Sequence, residues 1–270
     1  MNKDTNNTLR QSSEKSVKTM EDLVRMKAEK DYFYTKLSQV VFKPDRFKIL
    51  ISNDKYLFGY ISNTYKDNPF SMFMQYKALY DTLVDLDWKI KLSFEKAIDF
   101  AYSESLIKEY SIIKPETKEE TIALYYIENA LFRVSILWDL LAQLYRLYYK
   151  LNVKKENVHY KKVFDPDKSN CKKFKTKARE INSYLNEKDD INCEGEWKGN
   201  HGFVNELRNK MTHRNSPNIT SISDYDINMK HHPIFLIKRI IEDYVVVAKY
   251  ITEILDKIEK DVMKSICIDN

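Results

Sequence analysis

Glycine and proline are scarce in this chain, four and six in 270 residues. So few turn-makers leave room for few turns, and long elements favour helices over a many-stranded sheet. Four scattered glycines also exclude the fixed-spacing loops with which P-loop and Rossmann proteins cradle phosphates. Cysteine is equally sparse. Cys171, Cys193 and Cys267 are odd in number, far apart and in no CxxC arrangement, which speaks against a disulfide framework or structural zinc and fits a reducing compartment. No apolar run has the length needed to span a bilayer, and the opening residues lack the apolar core of a signal peptide. A cytoplasmic protein with no membrane part is expected. No serine-hydrolase, kinase or nucleotidyltransferase motif is present.

Charge is present but unevenly placed. The whole chain carries +5, whereas residues 150–179 hold eleven Lys or Arg against three acids, leaving the remainder at −3. A basic segment on a near-neutral protein suggests a local anionic partner, with Lys172, Lys173, Lys175 and Lys177 as candidate contacts. A solvated lysine-rich linker is the plainer alternative.

Hydrophobic periodicity sets the organisation. A charged helix spans 14–40, and residues 47–61, apolar and β-branched around Asn53 and Asp54, suit a short β-hairpin. Asn68-Pro69 opens a helical stretch to about 110. Pro115 with acids behind it marks a helix start and a boundary, dividing an N-terminal helical region (1–113) from a C-terminal unit (114–270). Four helices follow, over 116–151, 168–187, 200–214 and 233–265. The first is apolar nearly all round, which marks a central helix. The fourth repeats Ile234, Ile237, Ile241, Tyr244, Ala248, Ile251, Leu255, Ile258 and Val262 at bundle spacing. The fold class is all-α, an antiparallel up-and-down helical bundle with added N-terminal helices.

Chemistry concentrates where the third of these helices stops. Pro217 cannot continue a helix and pushes Ser216 out of helical geometry. His213 therefore sits near the helix C-terminus, where a cation is favoured. Arg208 lies about one and a half turns earlier. Arginine is a permanent planar cation that grips a phosphate with two hydrogen bonds, and histidine moves protons near neutral pH. Together they can hold a phosphodiester and transfer a proton beside it without metal or cofactor. Asn209 can orient either partner through its amide, and Arg214 adds a further positive charge.

An Arg, a polar residue and then a His at a helix end resembles the HEPN superfamily, whose motif is R-x(4–6)-H, most typically with Asn, Asp or His directly after the Arg. Arg208-Asn209-x-x-x-His213 matches the shortest form. The resemblance covers roughly the C-terminal half, and the first 113 residues look like the added region of some larger bacterial HEPN families. It implies a metal-independent endoribonuclease that attacks with the RNA 2′-hydroxyl, works as a homodimer with Arg208 and His213 of both subunits in one cleft, and often serves as a toxin or antiviral effector. An antitoxin or regulatory protein is then a further partner. Inactive members imply the alternative, a module that binds RNA, a nucleotide or a protein.

Other polar and aromatic residues invite a reading too. On the first bundle helix Glu128, Ser135, Asp139, Gln143 and Arg146 share one face, spread over about 80°. Glu128, Asp139 or the nearby Arg133 can support the Arg208–His213 pair from behind, or the stripe can be a solvated edge. His231 and His232, before Pro233, read as surface residues, and Cys193, His201 and His213 have no zinc spacing. Tyr125, Tyr126, Tyr145, Tyr148 and Tyr149 read as bundle packing rather than base-stacking platforms.

Overall fold

The computed structural model describes residues 4–47, 69–190, 197–213, 217–223 and 226–266. Among them are helices α1 (Asp4–Gln39), α2 (Pro69–Ala101), α3 (Glu104–Glu109), α4 (Lys118–Tyr148), α5 (Tyr160–Val163), α6 (Lys175–Leu185), α7 (Asn200–His213) and α8 (Pro233–Ile266). Short stretches of 3₁₀ helix cover Lys155–Asn157 and Ser169–Phe174. The hairpin expected over 47–61 falls almost wholly outside the described residues. A small antiparallel pair occurs elsewhere, between β1 (Ser221–Ser223) and β2 (Asp226–Asn228), with Ile222 opposite Ile227.

Local chemistry explains where the central helix begins and ends. Thr117 caps α4, its Oγ1 accepting from the Glu120 amide at 3.2 Å, and Glu119 and Glu120 follow in the first turn. The cap, rather than Pro115 at a first-turn position, starts the helix, because an N-cap oxygen satisfies an amide that would otherwise be orphaned. At the other end Lys150 takes the left-handed conformation, φ 49°. The Leu151 amide then closes back onto the Arg146 carbonyl at 3.0 Å, a C-cap arrangement.

Helices α2, α4 and α8 form the centre. Leu83, Ile90 and Phe94 of α2, Leu131, Leu137 and Leu141 of α4, and Ile237, Ile241 and Ile251 of α8 are all fully buried in one apolar cluster. That cluster is continuous across position 113. Tyr244 donates to Asp87, tying α8 to α2 deep inside.

The helix directions depart from strict up-and-down alternation. Glu120 pairs with Lys230, Trp138 with Asp243 and Tyr148 with Asp261, so α4 and α8 run in the same direction. Lys177 meets Glu253 and Tyr184 meets Asp243, so α6 runs against α8. Asn200 meets Glu242 while Phe203 meets Phe235, so α7 continues in the same direction as α6. Two short helices end to end thus stand where one long one would alternate. The expectation of antiparallel neighbours rested on short links, and the links over 149–174 and 186–199 are too long to impose them.

Candidate active site

The α7 N-terminus is built from buried polar groups. Gly199 has φ +69°, and a Cβ there would lie 2.5 Å from the Asp189 amide nitrogen, so only glycine fits. Its neighbour Asn200 donates to the Trp197 carbonyl at 2.6 Å and to Glu242 Oε2 at 2.9 Å, and accepts from Arg239 Nε. Arg239 is buried. It pairs with Asp189 at 3.0 Å and lies over the rings of Phe203, Trp197 and Phe235 at 4.3, 5.0 and 5.6 Å. Burial lowers its pKa, and Asp189 and Glu242 act in the opposite sense. Each charge there has a partner, as a buried charge requires.

One residue further on, His201 is enclosed by aromatics, with Trp138 at 4.8 Å, Tyr160 at 5.3 Å and Tyr184 at 6.4 Å between ring centroids. Its Nε2 lies 3.0 Å from the Tyr160 hydroxyl. Its Nδ1 lies 3.4 Å from Asp243 Oδ1, within ion-pair distance but out of line for a hydrogen bond. Asp243 is fully buried and accepts from Trp138 Nε1 at 3.1 Å and from the Tyr184 hydroxyl at 2.9 Å. The Tyr160 amide approaches Asp139 Oδ1 at 3.4 Å. Burial, then Asp243 and Asp139, push the Tyr160 pKa up, against the pull of Arg208. Tyr184 is pushed well up by burial and Asp243.

These side chains line a recess of about 90 Å³ formed by Ser135, Trp138 and Asp139 of α4, His159 and Tyr160 at the start of α5, His201, Val204, Asn205 and Arg208 of α7, and Asp243 of α8. That volume suits several waters or one phosphate-sized group. Arg208 and His159 are its exposed members.

The structure therefore brings Arg208 together with Asp139, one of the three supporting residues expected from the sequence. Among the described residues Arg208 makes one side-chain hydrogen bond, a 3.3 Å contact from Nη1 to its neighbour Asn209 Oδ1. Asn209 is exposed. His213 closes α7, but its side chain, like all of Arg214, lies outside the described residues. Glu128 accepts from Asn218 Nδ2 at 2.7 Å, five residues beyond His213, and burial raises its pKa. Arg133 turns back onto Asn129 of its own helix, at 2.7 Å to the carbonyl and 3.0 Å to Oδ1.

The four candidate lysines differ among themselves. Lys172 and Lys175 are exposed, without an ion pair among the described residues. Lys173 donates to the Tyr149 carbonyl at 3.2 Å. Lys177 is held between Glu180 and Glu253, at 2.5 and 2.8 Å. Its charge is locally balanced, so it has less to offer a phosphate than the other three. Among the described residues no three His, Cys, Asp or Glu side chains are grouped to hold a metal ion, and no helix is long and apolar enough to cross a membrane.

His159, Tyr160, His201, Asn205 and Asp243 were missed in the sequence. One signal was present: Ile240, Asp243 and Val247 share the spacing of an apolar row, and an acid in such a row needs partners. Tyr160 and His201 gave no comparable sign, being far apart in sequence and joined only by the fold. Comparison of the chain with protein-family models, with curated proteins and with solved structures finds no match.

Proposed function

We propose that the protein is a metal-independent endoribonuclease with a HEPN-like C-terminal bundle. One observation supports this above the rest: Arg208, exposed and free of any ion pair among the described residues, edges a polar recess on the helix that ends at His213. Arg208 would hold the scissile phosphate and stabilise its developing charge. His213 would serve as acid or base for attack by the adjacent 2′-hydroxyl. The products would be a fragment with a cyclic phosphate and one with a 5′-hydroxyl, and DNA, lacking the nucleophile, would stay intact.

A homodimer follows from the same reading. On α4 Tyr125, Phe132 and Ile136 are exposed in one stripe, within about 40° of each other on the helix. The stripe borders Ser135 and Asp139 of the recess, so a second copy docking there would bring two Arg208 side chains toward one cleft. A strict monomer in light scattering at micromolar concentration would remove this part. The test of the activity is labelled RNA with EDTA, comparing wild type, Arg208→Ala and His213→Ala. Cleavage by wild type alone is expected. Equal cleavage by all three would point to a contaminating nuclease, and no cleavage would leave a binding module.

A further inference from the structure

Attack by a 2′-hydroxyl needs two proton transfers. One proton leaves the 2′-oxygen as it bonds to phosphorus, and one arrives on the 5′-oxygen as its bond to phosphorus breaks. The α7 motif supplies one group able to do this, His213. We propose, resting on the ribonuclease reading above, that Tyr160 is the catalytic residue that gives a proton to the departing 5′-oxygen, with His201 and Asp243 as positioning residues that hold and resupply its hydroxyl.

Three observations carry this. Asp243 at 3.4 Å from His201, an ion-pair distance, and His201 at 3.0 Å from the Tyr160 hydroxyl place carboxylate, imidazole and hydroxyl in sequence from the core to the recess edged by Arg208. A hydroxyl, an imidazole and a buried carboxylate in that order are the arrangement by which a third group orients a proton-transferring pair. His201 is 3% exposed, and its Nδ1 has no hydrogen-bond partner while facing Asp243. A buried polar atom left unmatched in a network otherwise complete marks a site retained for something besides stability. Finally, the groups facing the chain come from every surrounding element: Asp139 of α4, His159 before α5, Tyr184 of α6, Asn205 and Arg208 of α7, and Asp243 of α8. The acids among them, with burial, keep Tyr160 a phenol, able to donate rather than accept.

The step requires a proton on each ring nitrogen of His201, Nδ1 toward Asp243 and Nε2 toward Tyr160. The O2′–P bond forms as His213 takes the 2′-hydroxyl proton, and the P–O5′ bond breaks. The Tyr160 hydroxyl proton passes to O5′, and the Nε2 proton of His201 passes to the phenolate oxygen. The imidazole is left neutral beside Asp243; His213 then gives up the 2′-proton to water entering the vacated recess, and that water returns a proton to His201.

The test compares two RNA substrates, one with the ordinary bridging 5′-oxygen and one with sulfur in its place. A thiolate leaves without needing a proton. On the oxygen substrate Tyr160→Phe, which keeps the ring packed against Trp138, should be slower by roughly a hundredfold. On the sulfur substrate it should cleave within a few-fold of wild type, and His201→Gln should show the same rescue. Arg208→Ala should lose rate on both. Thermal melts of the full chain confirm folding, and if His201→Gln does not fold, Tyr160→Phe alone decides. Equal loss by Tyr160→Phe on both substrates, or no loss on either, overturns the inference and leaves the ribonuclease standing. A wild type inactive on both substrates brings down the ribonuclease reading and the inference with it.

Discussion

The two ends of α7 are built on opposite plans. At its start Gly199, Asn200 and His201 sit among Arg239, Glu242 and Asp243, with charges paired and ring faces covered. Toward its end Arg208 and Asn209 are exposed and bond chiefly to each other, and Thr212 returns to the carbonyls of its own helix. The difference separates side chains held by the fold from side chains open to solvent. One held by the fold acts only through the groups packed against it, while one near solvent can be altered without unfolding the chain. The helix reads as a rod fixed at one end that presents exposed polar groups toward the other.

The largest effect expected is at the fixed end. Arg239→Met leaves Asp189 without its cation and the Asn200 side-chain oxygen without its donor, and should lower stability by about 3 kcal/mol. The denaturation midpoint should fall while RNA cleavage per folded molecule stays near wild type. A midpoint close to wild type would show that the anchor lies elsewhere. Arg208→Ala and His213→Ala should do the reverse. Each should slow cleavage by roughly a hundredfold, with stability within about 0.5 kcal/mol of wild type. A large loss of stability in Arg208→Ala would erase the contrast between the two ends.

Smaller effects sharpen it. Gly199→Ala forces a side chain into left-handed geometry against the Asp189 backbone and should cost about 1–3 kcal/mol, read by urea denaturation. Replacing Lys172, Lys173 and Lys175 by Gln should flatten the salt dependence of RNA binding by about 0.7 in slope for each phosphate that is no longer neutralised. Lys177→Gln should change the slope least, because Glu180 and Glu253 already balance it. The smallest effect concerns His232, half-buried against Tyr110 at 4.4 Å. Burial lowers its pKa from 6.5, with Glu120 and Glu29 opposing. The unfolded chain then binds more protons just below pH 6.5, so stability should fall as pH drops through that window. His232→Phe should flatten the fall in a pH series of thermal melts, and an unchanged curve would assign it to other groups.

Long helices were legible from the chain because apolar spacing and missing glycine and proline act over many residues. The stretches read at 116–151, 200–214 and 233–265 correspond to α4, α7 and α8 within a few residues. The first helix starts at Asp4 rather than near 14, since nothing in its polar opening breaks a helix. Arg208, Asn209 and His213 were legible because Pro217 places them at a helix end.

By itself, then, the sequence determined the helical class, the positions of the long helices and one Arg–His motif, all of which depend on neighbours a few residues apart. Tertiary structure alone decided that α4 and α8 run in the same direction, that α6 and α7 fill one antiparallel lane, and that Tyr160, His201 and Asp243 meet beside Arg208. Tyr160 and His201 stand 41 residues apart, and Trp138 and Asp243, which tie α4 to α8, stand 105 apart. No local pattern encodes them, because the burial that assembles them depends on apolar area and not on which polar group arrives beside it.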